Sequence, residues 1–440
     1  MPMSAADNAM GRGLRALNRI AGSPLLDRVG LRGPAEKALY SATKSGFKAA
    51  GAAGRTFARV QSNGKPASRL TTGPRNDLFD LKPSDEQQMM RESVGDFAMA
   101  KLRPAALDSD AACAAPEDLL TQANDLGITM LGVSEELGGA VTERSAVTSA
   151  LVSEALARGD MGLAVATLSP AAVSTAISLW GDAGQQVTYL PEFVGETVPA
   201  ASLAIQEPRP VFDPFGLQTK ARRSGDGFTL TGTKSLVVRG ADAELFVIAA
   251  DLDGAPALFI TEAGLKGVTL QAEPAMGVRA AATATLELTD VSLPGHALLG
   301  DADPEVYADC IRLGRIAWAA LAVGTSQAVL DYVIPYVNER SAFGEPISHR
   351  QAVAFKIADI ATELEGMRLV TYRAASRADQ GLSFAREAMQ ARRLAATRGM
   401  QIGSDGVQLL GGHGYIKEHP VERWYRDLRA AGLYEGALLV

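Results

Sequence analysis

The feature that most constrains this chain is a change in the period of its hydrophobic residues. From "KPSDEQQMMRESVGDFAMAKLRP" to about residue 200, apolar side chains recur every three or four positions. Between about 201 and 300 the period falls towards two, and from Glu305 the helical period returns. A stripe spaced for a helix cannot line one face of a strand, so three blocks follow in the order helices, strands, helices. At 440 residues the chain is also too long for a single small core, and several domains or layers are expected.

The first helical block opens with Ser84 as a predicted N-cap. Asp85 and Glu86 follow in the first turn, and Met90, Val94 and Phe97 form an apolar stripe. "PEDLLTQANDLGI", "ERSAVTSALVSEALARGDM" and "SPAAVSTAISLWG" read as further helices. "GFTLTGTKSLVV", "AELFVIAAD", "ALFITE", "GVTLQAE" and "TATLELTDVSL" are short β-type runs separated by Gly, Asp and Pro, and they predict a compact antiparallel domain. In the last block Val353, Ile357, Ile360, Leu364 and Met367 fall on one stripe and are read as core. The predicted domains are a basic extension over 1–75, a helical domain over 76–200, a β-domain over 201–304 and a helical bundle over 305–440.

Charge is unevenly placed. The whole chain carries 43 Lys+Arg and 50 Asp+Glu, a net of −7, which gives no hint of a nucleic-acid surface. Residues 1–75 nevertheless hold 13 basic and 3 acidic side chains. Leu39, Phe47, Phe57 and Val60 recur among those cations, which suggests short basic amphipathic helices: either a solvated arm or a segment that touches a membrane surface or a partner. The two cysteines, Cys113 and Cys310, and four histidines show no CxxC, HxxxH or HExxH spacing, so no disulfide framework and no metal site are expected, and a reducing compartment fits. No run of about 18 apolar residues is present, so a soluble or peripheral protein is expected. Composition points to a cytoplasmic location, with peripheral membrane contact through the arm as an open alternative.

Two stretches and the order of the blocks resemble the acyl-CoA dehydrogenase family, flavoenzymes that are mostly α with a middle β-domain and a C-terminal four-helix bundle. The resemblance runs from about residue 83 to the end. "YVNERSAFGEPISHRQAVAFKIADI" resembles the segment whose Arg, Phe-Gly and Gln contact FAD held between subunits, here Arg340, Phe343, Gly344 and Gln351. "DGVQLLGGHGYIKEHPVERWYRDLR" resembles the stretch that approaches the flavin diphosphate from the neighbouring subunit, here Gln408, Gly411 and Gly412. The residue types suit that task, since Arg is a fixed fork of donors for phosphate and Gly lets backbone N–H groups come close. Near the end, "LYEGA" resembles the stretch that carries the catalytic glutamate, which implies Glu435 as the base, with Tyr434 and Gly436 beside the substrate and Ala437 beside the flavin. Some family members place the base just before a bundle arginine. That arginine resembles Arg315, which implies a substrate-holding role or a structural ion pair, and Gly314 before it cannot be a base.

The resemblance implies α,β-desaturation of an acyl-CoA thioester as in fatty acid β-oxidation, electron transfer to an electron-transfer flavoprotein, and a homodimer or homotetramer. Three departures stand against it. Gln206 in "IQEP" occupies a position where a flavin-binding threonine is expected. "SLVV" places Leu236 and Val238 where the flavin ring would find a hydrogen bond, leaving shape alone. Ala437 follows "YEG" where a threonine is expected, and the chain stops at Val440 without the expected terminal helix, which predicts that Glu435 lies on a loosely held tail. These departures keep open an alternative, a non-catalytic homologue acting as a binding or partner subunit. His413 and His419 are read as surface or packing residues.

Overall fold

The computed structural model describes residues 82–139, 144–195 and 197–440. The basic segment 1–75 and its expected helices lie outside the described residues.

The first block is helical, as its period requires. Helix α1 (Asp85–Phe97) begins at Ser84, whose hydroxyl accepts from the Gln87 N–H while the Gln87 side chain accepts from the Ser84 N–H. This reciprocal cap satisfies two otherwise orphaned donors. A π turn leads into α2 (Arg103–Ala112), and α3 (Glu117–Asp125), α4 (Ala146–Gly159), α5 (Met161–Trp180) and α6 (Ala183–Tyr189) complete the layer. Helix α5 begins eight residues before the "SPAAVSTAISLWG" segment and runs through Pro170. A proline normally breaks a helix interior. Here it is fully enclosed, with Ser169 beside it bonded to the Ala201 carbonyl at 2.7 Å, and packing overrides the local preference.

The middle domain is one eight-stranded sheet of β1 (Ala201–Ala204), β2 (Lys220–Ser224), β3 (Gly227–Val237), β4 (Leu245–Leu252), β5 (Ala255–Glu262), β6 (Val268–Ala272), β7 (Ala284–Leu293) and β8 (Leu298–Leu299). The path is β6-β7-β3-β2-β4-β5-β8, with β1 on β4. The sheet is mainly antiparallel, as expected, but β1 and β2 each pair with β4 in parallel. Neither enters β4 through a hairpin, so turn geometry does not force an antiparallel direction.

The C-terminal bundle is built on α7 (Pro304–Glu339) and α8 (Gln351–Asp379), joined by a small hairpin of β9 (Ser341–Ala342) and β10 (Glu345–Pro346). Helices α9 (Ala385–Leu394), α10 (Met400–Leu409), α11 (Val421–Leu428) and the short α12 (Ala430–Leu433) follow. Ile360, Leu364 and Met367 of the predicted stripe are buried, with Val353 and Ile357 half-buried at its end. Helices α5 and α7 are long and apolar enough to cross a membrane by length and composition. Both are mostly buried against other elements of the protein, which marks them as core helices. Cys113 and Cys310 are unpaired thiols.

Candidate active site

The end of the chain is fixed in place. Tyr434 and residues 437–440 are buried, and Glu435 is 9 % exposed. The Trp318 indole N–H on α7 donates to the Gly436 carbonyl at 2.8 Å, and its ring packs on Tyr434 with centroids 4.6 Å apart. Gly436 has φ 70°, and a Cβ there would meet the Ile205 side chain at 2.2 Å, so only glycine suits this turn. Ala437 follows with φ 67°. The loosely held tail expected from the sequence is therefore corrected. Its apolar residues give it a place in the core, and a glycine opposite gives it room: a Cβ on Gly314 would already stand 3.0 Å from the Leu438 carbonyl oxygen.

The tail presents the Glu435 carboxylate to two cations. Arg315 on α7 grips it through two parallel bonds, Nε to Oε2 at 3.0 Å and Nη2 to Oε1 at 3.1 Å. Arg392 on α9 adds a third contact, Nη2 to Oε1 at 3.2 Å. Bidentate pairing fixes the plane of a carboxylate as well as its position. Arg392 also donates to the carbonyls of Ala431 and Gly432, tying together the turn that delivers Glu435. Burial lowers the Arg392 pKa, and the Glu435 charge opposes that shift. The sequence reading missed Arg392. Its signal was an arginine beside Ala388 and Ala391 on the buried face of α9, which also carries Glu387.

Gln206 reaches the same turn, its Oε1 accepting the Glu435 backbone N–H at 3.2 Å. The loop holding Gln206 is braced by Glu207 and Lys234, a buried pair 3.1 Å apart. Burial pushes the Glu207 pKa up, but Lys234 and the backbone N–H groups of Thr219 and Gln218 outweigh it and leave it lowered. The Lys234 pKa falls to about 8 through burial, opposed by Glu207. In "SLVV", the Leu236 N–H and Ser235 hydroxyl both donate to Glu273 at 2.7 Å, and the Val238 carbonyl accepts from Ser202. These three polar groups find partners within the protein; Leu236 is half-buried with only an apolar side chain, and Val238 is enclosed.

A second group of predicted residues gathers elsewhere. Arg340, Phe343, Gln408, Gly411 and Gly412 line one pocket of about 770 Å³, with Arg350, Lys356 and His413 also on its wall. Phe343, at a φ of 57°, is 97 % exposed. A Cβ on Gly411 or Gly412 would project into open space, so the backbone there is bare to a ligand. Guanidinium donors beside an uncovered glycine backbone fit the diphosphate end of FAD. Gln351 begins α8 and is exposed, but it is not among the residues lining this pocket; nor are Glu435, Gln206 and Val238.

Family models match in the order of the three blocks: the acyl-CoA dehydrogenase N-terminal domain over 84–197, the middle domain over 202–291 and the C-terminal domain over 305–438. The mouse (Mus musculus) mitochondrial short-chain specific acyl-CoA dehydrogenase is 32% identical over 361 residues, covering 80% of this chain and 87% of its own. The chain belongs to the acyl-CoA dehydrogenase family. The short-chain specific acyl-CoA dehydrogenase of Megasphaera elsdenii is 31% identical, over 81% of this chain and 96% of its own. The butyryl-CoA dehydrogenase structure from the same organism superposes with a TM-score of 0.75 at 29% identity, covering 82% of this chain and 96% of that one. Acyl-CoA dehydrogenases are FAD-dependent oxidoreductases acting on a CH–CH pair, and the non-catalytic alternative is not favoured by these relatives.

Proposed function

We propose that this acyl-CoA dehydrogenase desaturates a short acyl-CoA at its α,β bond, with Glu435 as the base. The observation that carries the assignment is the carboxylate of Glu435, buried, held in plane by Arg315 and steadied by Arg392. A positioned carboxylate can take an α proton only if its geometry is maintained through the reaction, and an ion-paired, enclosed group meets that need. Tyr434 and Gly436 shape the wall beside it, and Arg315 acts through the base rather than on the substrate. The short-chain preference rests on the names of the relatives above. When bound, FAD supplies the acceptor for the hydride that leaves the β carbon.

Of the three residues expected beside the flavin ring, half-buried Gln206 would border it, while Val238 and Ala437 are enclosed and would lie behind that wall. Arg340, Phe343, Gln408, Gly411 and Gly412 would hold the diphosphate end of a flavin shared with a second copy, and Gln351, exposed at the start of α8 between the lining residues Arg350 and Ala352, would contact the same flavin. The separation of the two groups of residues within one chain, and the bare aromatic ring of Phe343, favour a homodimer or a dimer of dimers. The electron acceptor is proposed to be an electron-transfer flavoprotein. A similar chain, 29% identical with a TM-score of 0.75 over 82% of this chain and 96% of its own, comes from a structure of the electron transferring flavoprotein of Acidaminococcus fermentans, which supports that partner. A cytoplasmic location completes the reading.

Glu435→Gln, nearly isosteric, tests the assignment. Turnover of butyryl-CoA with a dye acceptor should be lost while FAD stays bound; unchanged turnover would remove Glu435 from the mechanism. Native mass should report a dimer or tetramer, and a monomer that keeps its flavin would contradict the shared site.

A further inference from the structure

The loop after the paired glycines carries two of the chain's four histidines, and neither takes part in the chemistry above. In "GGHGYIKEHP" one ring nitrogen of His413, one carboxylate oxygen of Glu418 and one ring nitrogen of His419 all lie within 4.8 Å of one another. We propose that His413, Glu418 and His419 form a binding site for a divalent transition-metal ion, with zinc as the best match.

Two imidazoles are borderline donors and the carboxylate is a hard one; the paired nitrogens turn the set towards zinc, cobalt and nickel and away from magnesium or calcium. Three protein ligands also leave a fourth position open, as zinc accepts. Bonds of about 2.0–2.1 Å would bring the ligand atoms to roughly 3.4 Å apart. His413 and Glu418 are exposed, which leaves room to close that remaining distance, while His419 is half-buried and acts as the anchor. Its ring stands edge-on to Tyr332 and Tyr336, with centroids 6.0 and 5.8 Å away. The Tyr332 hydroxyl lies 2.6 Å from His419 Nδ1. When Nδ1 carries the proton and donates to that oxygen, Nε2 is left with a free lone pair for the metal. An oxygen behind a ligating imidazole is the usual means of fixing its tautomer and direction.

The regular spacings sought in the sequence miss this set because a short 3-10 segment (Gly411–Tyr415) and the turn after it, rather than a helical repeat, bring the donors together. His413 also lines the pocket that holds Arg340 and Gly411, so an ion would add positive charge at the rim of that pocket.

The test uses the full-length protein, prepared without a histidine tag and freed of metal by chelation. Titration with Zn²⁺ should give one saturable site per chain, absent with Mg²⁺, and Co²⁺ should develop d–d absorption. His413→Ala and Glu418→Gln change exposed side chains and leave the fold intact; each should weaken Zn²⁺ at least tenfold. Tyr332→Phe should weaken it about tenfold through the lost second partner. His349→Ala, on an exposed ring elsewhere, should change nothing. Absence of saturable Zn²⁺ binding, or binding that His413→Ala and Glu418→Gln leave unchanged, overturns the site.

Discussion

Arg392→Met removes one cation from Glu435 while keeping an unbranched chain of similar length in the bundle. The lost Nη2–Oε1 contact is a charge-assisted hydrogen bond, of a kind that contributes about 1.5–3 kcal/mol. The carbonyls of Ala431 and Gly432 lose their donor at the same time, each at a cost of about 1 kcal/mol or more where water cannot replace it. Against this, the substitution ends the burial of a guanidinium, and Arg315 still pairs with the carboxylate, so the larger cost of an isolated buried charge is avoided. A net loss of about 2–4 kcal/mol follows from those terms. Denaturant unfolding followed by circular dichroism measures it, with Arg393→Met on the exposed side of the same helix as control. Activity should fall further than stability implies, by roughly tenfold to a hundredfold in kcat, because a base displaced by about 1 Å loses much of its alignment. Arg392→Lys should restore part of kcat. Full stability together with unchanged kcat would refute the clamp.

Three further outcomes are expected. Gly314→Ala forces a methyl group to within 3.0 Å of the Leu438 carbonyl and 3.2 Å of Gly436 Cα, so thermal unfolding should show a loss of about 1–3 kcal/mol, accompanied by lower kcat; a neutral result contradicts the docked tail. Trp318→Phe removes the donor to the Gly436 carbonyl and should cost about 1 kcal/mol or more; an equal loss from a distant Trp180→Phe would show that the bond is not responsible. Asp427 lies buried near Asp160, and burial first, then that neighbouring charge, raises its pKa to about 8. The folded state therefore keeps a proton that the unfolded chain releases above about pH 4, so this group's contribution to stability is greatest below that pH and declines as the pH rises to about 8. Asp427→Asn should reduce the difference in unfolding free energy between pH 5 and pH 8, and an undiminished difference would assign the pH dependence to other groups.

The sequence exposed those parts of the molecule that depend on local periodicity or short motifs. The Ser84 cap, the Ile360–Leu364–Met367 face and the strand runs of the middle domain follow from neighbours within a few residues. The grouping of Arg340 with Gly411 and Gly412 follows the family resemblance and is seen in one pocket. What stayed hidden depends on contacts between remote segments. Gln206 meets Glu435 across 229 positions, and Arg392 meets it from another helix, so no period in the chain records either pairing. The docked tail escaped for the same reason: an apolar "ALLV" does not show which surface will cover it. Arg392 left a trace, as a cation beside Ala388 and Ala391 on a buried helix face, and such a residue in any helical pattern invites a search for a buried carboxylate.

The measurement that bears most directly on the central claim is the visible spectrum of the FAD-loaded protein during anaerobic addition of butyryl-CoA, taken in parallel on the wild type and on Glu435→Gln. The account expects the flavin absorption of the wild type to bleach and that of Glu435→Gln to persist, with equal flavin content in both. Bleaching of equal extent and rate in the two proteins would contradict it, because the proton would then leave by a route that does not involve the carboxylate held by Arg315 and Arg392.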